Sequence, residues 1–296
     1  MRLICTVFIL LLALMTSAQC QQTAEDWFIE GRALSNQSKY DEAIKAYDEA
    51  IKLDPNDTAI WQIEAMIFGI QGKHDKAINA WDAAIKLDPK DASSWHNKGV
   101  ELADYGKYDE SIEALDEAIR LDPRIANASW CTKGIVLYKQ EKYDEAIEAF
   151  DEAIRLNHKD ADAWHSKGRA LADQGKYDEA IRVIDEAIKL DLEDAAAWSD
   201  KGYALFCQDK YADAIEAYDE AIRLNPNDDA SWHNKGLILS NQGRLEEAIE
   251  ALDEATKLDP NDAATWHHKG RTLEALGRTA EATAAFIKAN ELGYTS

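Results

Sequence analysis

Eight tryptophans, Trp27, Trp61, Trp95, Trp130, Trp164, Trp198, Trp232 and Trp266, stand at steps of 34 residues with a single step of 35. No other feature constrains the fold as tightly. The additional residue lies in the connection from Pro123 to Trp130. A second series runs in phase with the first: Pro55, Pro89, Pro123, Pro226 and Pro260 each follow a tryptophan by 28 residues, and His158, Leu192 and Tyr294 take that place in the other three units. A fixed period of this length means stacked supersecondary units, each burying its apolar face against a neighbour.

Each unit reads as two helices. In the fifth, Trp164, Gly168 and Leu171 fall at i, i+4 and i+7, one apolar stripe of a first helix. Gly175-Lys176 breaks that pattern. Asp178 is placed to cap a second helix, whose Ala180, Ile184, Ala187 and Ile188 share a face. Asp160 is placed to cap the first helix, as are Asp57, Asp91, Asp194, Asp228 and Asp262 in other units. Gly168 and Ala180 leave room where the helices press together, and Trp164 is expected to fill the space beside them.

The whole pattern is Trp, Gly four on, Leu seven on, Ala sixteen on, an aromatic or aliphatic residue twenty on, Ala twenty-three on and Pro twenty-eight on. It resembles the tetratricopeptide repeat, and the string Trp232-His233-Asn234-Lys235-Gly236 is especially similar to that family. The resemblance covers residues 24–296 in units 24–57, 58–91, 92–126, 127–160, 161–194, 195–228, 229–262 and 263–296. Departures are few: Ala65 stands for the first-helix glycine in the second unit, and Ser111 for a small alanine in the third. The implied fold is all-α, an α-solenoid wound as a right-handed superhelix of eight helix-turn-helix repeats. Inner units carry Tyr177, Ile181 and Ile188 where the last has Thr279, Thr283 and Asn290, the polar face expected of a terminal cap.

Residues 1–23 stand apart as a secretory signal and short linker. Met1-Arg2 supplies a positive charge, Val7 to Met15 is uninterruptedly apolar, and Thr16-Ser17-Ala18 offers small residues before a cleavage point. The apolar run is short of the roughly 20 residues a spanning helix needs. Export to the cell envelope or the medium is the expectation, with an uncleaved anchor or a lipid on Cys20 as alternatives. Gln19, where lipoprotein signals carry a small residue, argues against the lipid. Cys131 and Cys207 lie two units apart, too far for a disulfide, which needs Cα atoms within about 7 Å. Sequons at Asn36, Asn56 and Asn127 are compatible with glycosylation.

Composition removes some partners. The chain carries 33 Lys and Arg against 56 Asp and Glu, a formal charge of -23. Such a surface repels phosphate backbones and anionic headgroups, so no nucleic acid is expected, and membrane contact only through an uncleaved or lipidated N-terminus. The repeats leave no room for a catalytic domain, and the chain has no Gly-rich phosphate loop, nucleophile elbow or HExxH string. Acidic pairs such as Asp41-Glu42 and Asp178-Glu179 recur at the start of second helices, where they suit the helix dipole and face water. His96, His165, His233 and His267 each follow a tryptophan. Packed helices lie about 8–10 Å apart, so these rings are not expected to converge on one metal. Neither enzyme activity nor a cofactor is expected.

In tetratricopeptide arrays the first helices line a concave groove that commonly holds an extended peptide or a partner's helix. Carried over, the groove places lie one, five, eight and nine residues after each tryptophan. The resemblance thereby implies a peptide-binding groove of Arg32, Met66, His96, Ile135, Tyr138, His165, Arg169, Tyr203, Phe206, His233, Leu237, His267 and Arg271. The groove places also include Asp104, Lys139, Asp173, Cys207 and Glu274. Over all of them charge nearly balances, with Arg32, Lys139, Arg169 and Arg271 against Asp104, Asp173 and Glu274, and aromatics gather at Tyr138, Tyr203 and Phe206. Family members that grip a chaperone's carboxyl terminus place lysine just after the tryptophan; here Phe, Gln, His, Cys or Ser stands there. The expected function is a non-catalytic protein- or peptide-binding scaffold outside the cytoplasm. Its rivals are an envelope assembly factor working through the convex face or the array ends, and a metal protein or enzyme. The aligned histidines also suggest a pH response.

Overall fold

First helices begin where an aspartate satisfies a free backbone N–H. In the computed structural model, which describes residues 22–124 and 126–294, Asp57, Asp91, Asp160, Asp194 and Asp262 each accept from a backbone amide two or three residues on. Asp228 occupies the same position but takes the Ser231 hydroxyl instead, at 2.5 Å. Second helices start differently from expectation. The helix Tyr177–Leu190 has Lys176 in the cap position, so Asp178 lies in the first turn rather than capping it. Its charge still faces the exposed N–H groups of that turn.

Sixteen helices follow one another among the described residues. First helices are α1 (Ala24–Ser35), α3 (Thr58–Ile70), α5 (Ala92–Asp104), α7 (Ala126–Lys139), α9 (Ala161–Asp173), α11 (Ala195–Cys207), α13 (Asp229–Asn241) and α15 (Ala263–Ala275). Second helices are α2 (Tyr40–Leu53), α4 (His74–Leu87), α6 (Tyr108–Leu121), α8 (Tyr143–Leu156), α10 (Tyr177–Leu190), α12 (Tyr211–Leu224), α14 (Leu245–Leu258) and α16 (Thr279–Glu291). The fold is an all-α repeat solenoid. The chain divides into two compact units, the first ending at Ser129 and the second beginning at Trp130. The expected signal, with Cys5 and Cys20, falls on residues 1–21, outside the described residues; Thr23, read as linker, caps α1. No helix among those described is long and apolar enough to cross a membrane.

Within a hairpin, the small first-helix residue receives the side chain twenty after the tryptophan. A Cβ on Gly168 would stand 2.4 Å from Ile184 Cγ1, and one on Gly31 2.6 Å from the Tyr47 ring. Ile184, not Trp164, therefore fills the space that Gly168 leaves. Trp164 packs instead on Ala153 and Ile154 of the preceding second helix. Where Ala65 replaces the glycine, Trp81 lies beside it. Tyr47, Leu115, Phe150, Ile184, Tyr218 and Leu252 are at most 1% exposed, so these contacts form the core. Stability accrues hairpin by hairpin, as in other repeat proteins. Ile181 packs both within its own hairpin and on Leu205 and Tyr218 of the next, the neighbour-facing role expected of it.

Two further links recur. Each indole Nε1 of Trp61, Trp95, Trp164, Trp232 and Trp266 donates to the carbonyl six residues before it, at 3.0–3.2 Å. That carbonyl belongs to the proline place, filled by His158 before Trp164. The acidic start of a second helix also reaches forward: Asp41 accepts from Gln71 at 3.1 Å and Asp144 from Gln174 at 2.9 Å. Asp41 and Asp144 thus tie down the next hairpin's turn as well as facing water.

Candidate functional site

The residue directly after each tryptophan does not project freely. In the first unit Gln62 donates to Asp91 Oδ2 at 2.7 Å and Ser94 Oγ at 3.0 Å, and His96 Nδ1 stands 3.0 Å from Ser129 Oγ. In the second unit Cys131 Sγ reaches Asp160 at 3.7 Å, and His165 reaches Asp194 at 3.1 Å and Asp200 at 2.8 Å. Ser199 accepts from Ser231 at 2.9 Å, and His233 Nδ1 bonds Thr265 Oγ1. Within each unit these side chains form a hydrogen-bonded ladder from one first helix to the next. The spacing rule marked His96, His165 and His233 as groove residues; each ring is already hydrogen-bonded between hairpins.

Burial sets the protonation of these rings. It pushes His96 and His233 below the ordinary imidazole value. His268, half-buried and near His233, His267 and Arg271, falls to about 4, chiefly through desolvation; its Nδ1 is 3.2 Å from His233 Nε2. At His165 burial also opposes the charge, but hydrogen bonds to Asp194 and Asp200 outweigh it and raise the ring to about 9. His267 lies against Tyr294, ring centres 4.2 Å apart. No cluster of three or more candidate metal ligands occurs among the described residues.

Five residues after each tryptophan the surface opens. Arg32 and Met66 are exposed in the first unit. Ile135, Arg169, Tyr203 and Arg271 are exposed in the second, with Leu237 half-buried. These places carry the stripe's accessible chemistry. In the second unit the side chains around Arg169 and Tyr203 are organised. The Arg169 guanidinium lies over the Tyr138 ring, 5.4 Å from its centre, and the Tyr138 hydroxyl donates to Asp173 Oδ2. Burial, reinforced by that hydrogen bond, pushes Tyr138 up to about 12. A hydrogen bond with Cys207, then burial, takes Tyr203 to about 12. Phe206 and Tyr211 lie with ring centres 6.1 Å apart.

The result is a cluster of Tyr138, Arg169, Asp173, Tyr203, Phe206 and Cys207 in which every titrating hydroxyl stays protonated at neutral pH. The Cys131 thiol is likewise pushed up, to about 12, by burial and the Asp160 charge. This arrangement offers hydrogen-bond donors, a fixed guanidinium and aromatic area. Asp173 and Cys207, both on the carried-over places, were not among the anchors; Asp173 takes its role from Tyr138 and Cys207 from Tyr177 as well as Tyr203, and spacing alone does not show partners across hairpins.

Comparison with known proteins agrees with this architecture. The model described as Cilia and flagella-associated protein 70 C-terminal domain matches residues 10–199, and Tetratricopeptide repeat models match residues 195–228, 217–250 and 263–292. None of the curated proteins matches the chain. Among solved structures, MamA from Desulfovibrio magneticus RS-1 is 25% identical with a TM-score of 0.52, over 56% of this chain and 94% of that one. YrrB, described as a TPR protein with an unusual peptide-binding site, is 24% identical with a TM-score of 0.52, over 65% and 98%. A tetratricopeptide repeat protein from Parabacteroides merdae ATCC 43184 is 17% identical with a TM-score of 0.64, over 84% and 98%. With well over half its length matched by the first model and most of the remainder by repeat models, the chain belongs to the family of the Cilia and flagella-associated protein 70 C-terminal domain, and so to the tetratricopeptide-repeat proteins.

Proposed function

We propose that this chain is a non-catalytic scaffold that holds an extended peptide or a partner's helix against its first-helix stripe, outside the cytoplasm. The observation that carries the reading is the arginine–aromatic cluster of the second unit. Arg169 is fixed over Tyr138, and Tyr203, 41% exposed, lies on the same stripe. Arginine and tyrosine are the side chains that most often anchor protein interfaces, because they combine apolar area with hydrogen bonds at small entropic cost. Arg169 would hydrogen-bond a carboxylate or backbone carbonyl of the ligand, with Tyr203 and Phe206 covering its apolar side. YrrB, a solved protein of the same fold, is described by a peptide-binding site; here the fold alone is common ground. The export half of the proposal rests on Met1-Arg2, Val7 to Met15 and Thr16-Ser17-Ala18.

The test is a crosslinking capture from envelope and culture fractions with the full chain and with a variant carrying Arg169→Ala, Tyr203→Ala and Phe206→Ala. Circular dichroism establishes that both are folded. A partner captured by the parent and lost by the variant supports the stripe. Equal capture by both moves the activity elsewhere, to the envelope-assembly alternative, for which exposed Ile29 and Ile70, at 56% and 66%, offer apolar contact in the first unit. N-terminal sequencing of the chain from the same fractions tests export: a start after Ala18 supports it, and an intact Met1 in the cytoplasm overturns it.

A further inference from the structure

A lysine three residues after the tryptophan makes the same two contacts in one hairpin after another. In the first unit the Lys98 ammonium donates to Asp82 Oδ1 at 2.6 Å and lies 5.4 Å from the centre of the Trp95 ring. In the second unit Lys201 donates to Asp185 at 2.6 Å and Lys235 to Asp219 at 2.5 Å. These ammonium groups lie 5.1 and 5.5 Å from the rings of Trp198 and Trp232. Lys269 repeats the arrangement with Asp253 at 2.7 Å and Trp266 at 4.7 Å. The aspartate always comes from the preceding second helix, sixteen residues before the lysine. The fold thus contains a recurring receptor for a primary ammonium, with a carboxylate on one side and an indole face on the other.

The second hairpin has the receptor without the lysine. Asp48 holds the aspartate place and Trp61 the tryptophan place, its indole held by the recurring bond, here to Pro55 O at 3.1 Å. Where the third to eighth hairpins have lysine stands Glu64; the first hairpin also has an acid there, Glu30, but no second helix precedes it among the described residues to supply the aspartate. The Glu64 side chain is buried, the residue only 3% exposed, and its Oε1 has no hydrogen-bond partner. It lines a cavity of about 390 Å³ together with Asp48, Trp61, Phe68 and Lys76. The corresponding crevice of the second unit, lined by Asp151 and Lys167, already contains its ammonium, 2.5 Å from Asp151. Burial pushes Glu64 up to about 7, the Asp48 charge and a hydrogen bond between the two carboxyl groups add to this, and Lys76 opposes it. Lys76 is the one cation among the lining residues. Its ammonium lies over the Phe68 ring at 5.3 Å, and no ion pair joins it to Asp48 or Glu64 among the described residues. Two adjoining carboxylates with one buried are costly until a cation is supplied.

We propose that this crevice binds the primary ammonium of an external ligand, which takes between Asp48, Glu64 and Trp61 the position that a lysine side chain takes in the later hairpins. The site is separate from the first-helix stripe and does not rest on it.

The experiment is calorimetric titration of the full chain with two probes, n-butylammonium chloride and the blocked tripeptide acetyl-Gly-Lys-Gly-amide. Parent, Glu64→Gln, Glu64→Lys and Lys76→Ala are compared at pH 8 and pH 6. The parent is expected to bind one equivalent at pH 8 and about tenfold more weakly at pH 6, because ammonium binding requires the ionised carboxylate. Glu64→Gln weakens binding, and Lys76→Ala strengthens it by removing a like charge. Glu64→Lys supplies the ammonium internally, so it abolishes binding and raises Tm, which also shows that the variant folds. Uptake of n-butylammonium identifies a free amine as sufficient; uptake of the peptide alone identifies a partner's lysine. No saturable binding of either probe by the folded parent overturns the proposal, as does equal binding by the parent and Glu64→Lys.

Discussion

His165 Nε2 stands 2.8 Å from Asp200 Oδ2 while its Nδ1 stands 3.1 Å from Asp194, so one ring joins two carboxylates of the following first helix. With a folded pKa raised to about 9 against about 6.5 in the unfolded chain, the imidazolium stabilises the fold. That contribution is fully present below about pH 6.5 and is lost as pH rises through about 9. Replacing His165 by Gln is expected to cost the second unit about 1–3 kcal/mol at pH 6 and distinctly less at pH 9.5. Urea unfolding at both pH values measures the difference; a cost constant across that range would remove the charged ring from the account.

Trp198 departs from its counterparts. Its buried indole Nε1 has no hydrogen-bond partner, whereas the indoles of Trp95 and Trp232 donate to Pro89 and Pro226. Leu192 holds the corresponding place and is 67% exposed. Asp191 before it is extended, with φ -134 and ψ 101, the conformation a following proline requires. Leu192→Pro is therefore expected to stabilise the protein by about 0.4–1 kcal/mol, chiefly by restricting the unfolded chain. Thermal melting checks the sign, and a lowered Tm would show that the Leu192 backbone lies outside the proline range.

Helix propensity and packing oppose each other at Gly168. Alanine in a helix interior is favoured over glycine by about 1 kcal/mol. Its Cβ, however, would meet Ile184 Cγ1 at 2.4 Å and the Ala180 carbonyl at 3.4 Å. Overpacking a rigid, fully buried site costs about 1–3 kcal/mol, so Gly168→Ala is expected to lower stability. The paired change Gly168→Ala with Ile184→Ala should cost less than the sum of the two single changes in a double-mutant cycle, because alanine removes the Cγ1 that the new Cβ meets. Additive effects would place the strain elsewhere.

Glu141 sits in the left-handed region at φ 60, in a turn where the next hairpin uses Gly175 at φ 76. A left-handed glutamate costs about 1–2 kcal/mol, against roughly 0.5–1 kcal/mol of extra entropy lost on folding when glycine replaces it. Glu141→Gly is expected to raise stability by about 0.5–1 kcal/mol. Asp209→Gly, at φ 59, should gain less, because aspartate tolerates that region better. Denaturant midpoints for the two variants test both size and order.

Much of the fold was legible from spacing. The period of Trp27 through Trp266 located the hairpins, and Asp57, Asp91, Asp160, Asp194 and Asp262 marked helix starts that the structure confirms. Asp178 misled, because the second helix begins one residue earlier and the preceding lysine turns the chain without a side-chain cap. Trp164 was assigned the space beside Gly168, but a helix-wheel pattern shows only which face is apolar. Which neighbour fills that face depends on the crossing of two helices, and Ile184 is the closer.

The sequence by itself determined the hairpin, its repetition and the apolar faces that must be buried, because these follow from local periodicity and the intrinsic conformations of Gly, Pro and Asp. It also placed the stripe from which Arg169, Tyr203 and Phe206 project. Only the tertiary structure decided which polar side chains remain available. His96, His165 and His233 share the tryptophan-adjacent place, yet each spends its hydrogen bonds on the next helix. Glu64 reads in the sequence as one more acid on an acidic chain. Its meaning appears when Asp48 and Trp61, from two different helices, close around it with the lysine missing. Hydrogen bonding and desolvation depend on distances of a few ångströms between residues far apart in sequence, and periodicity does not encode them.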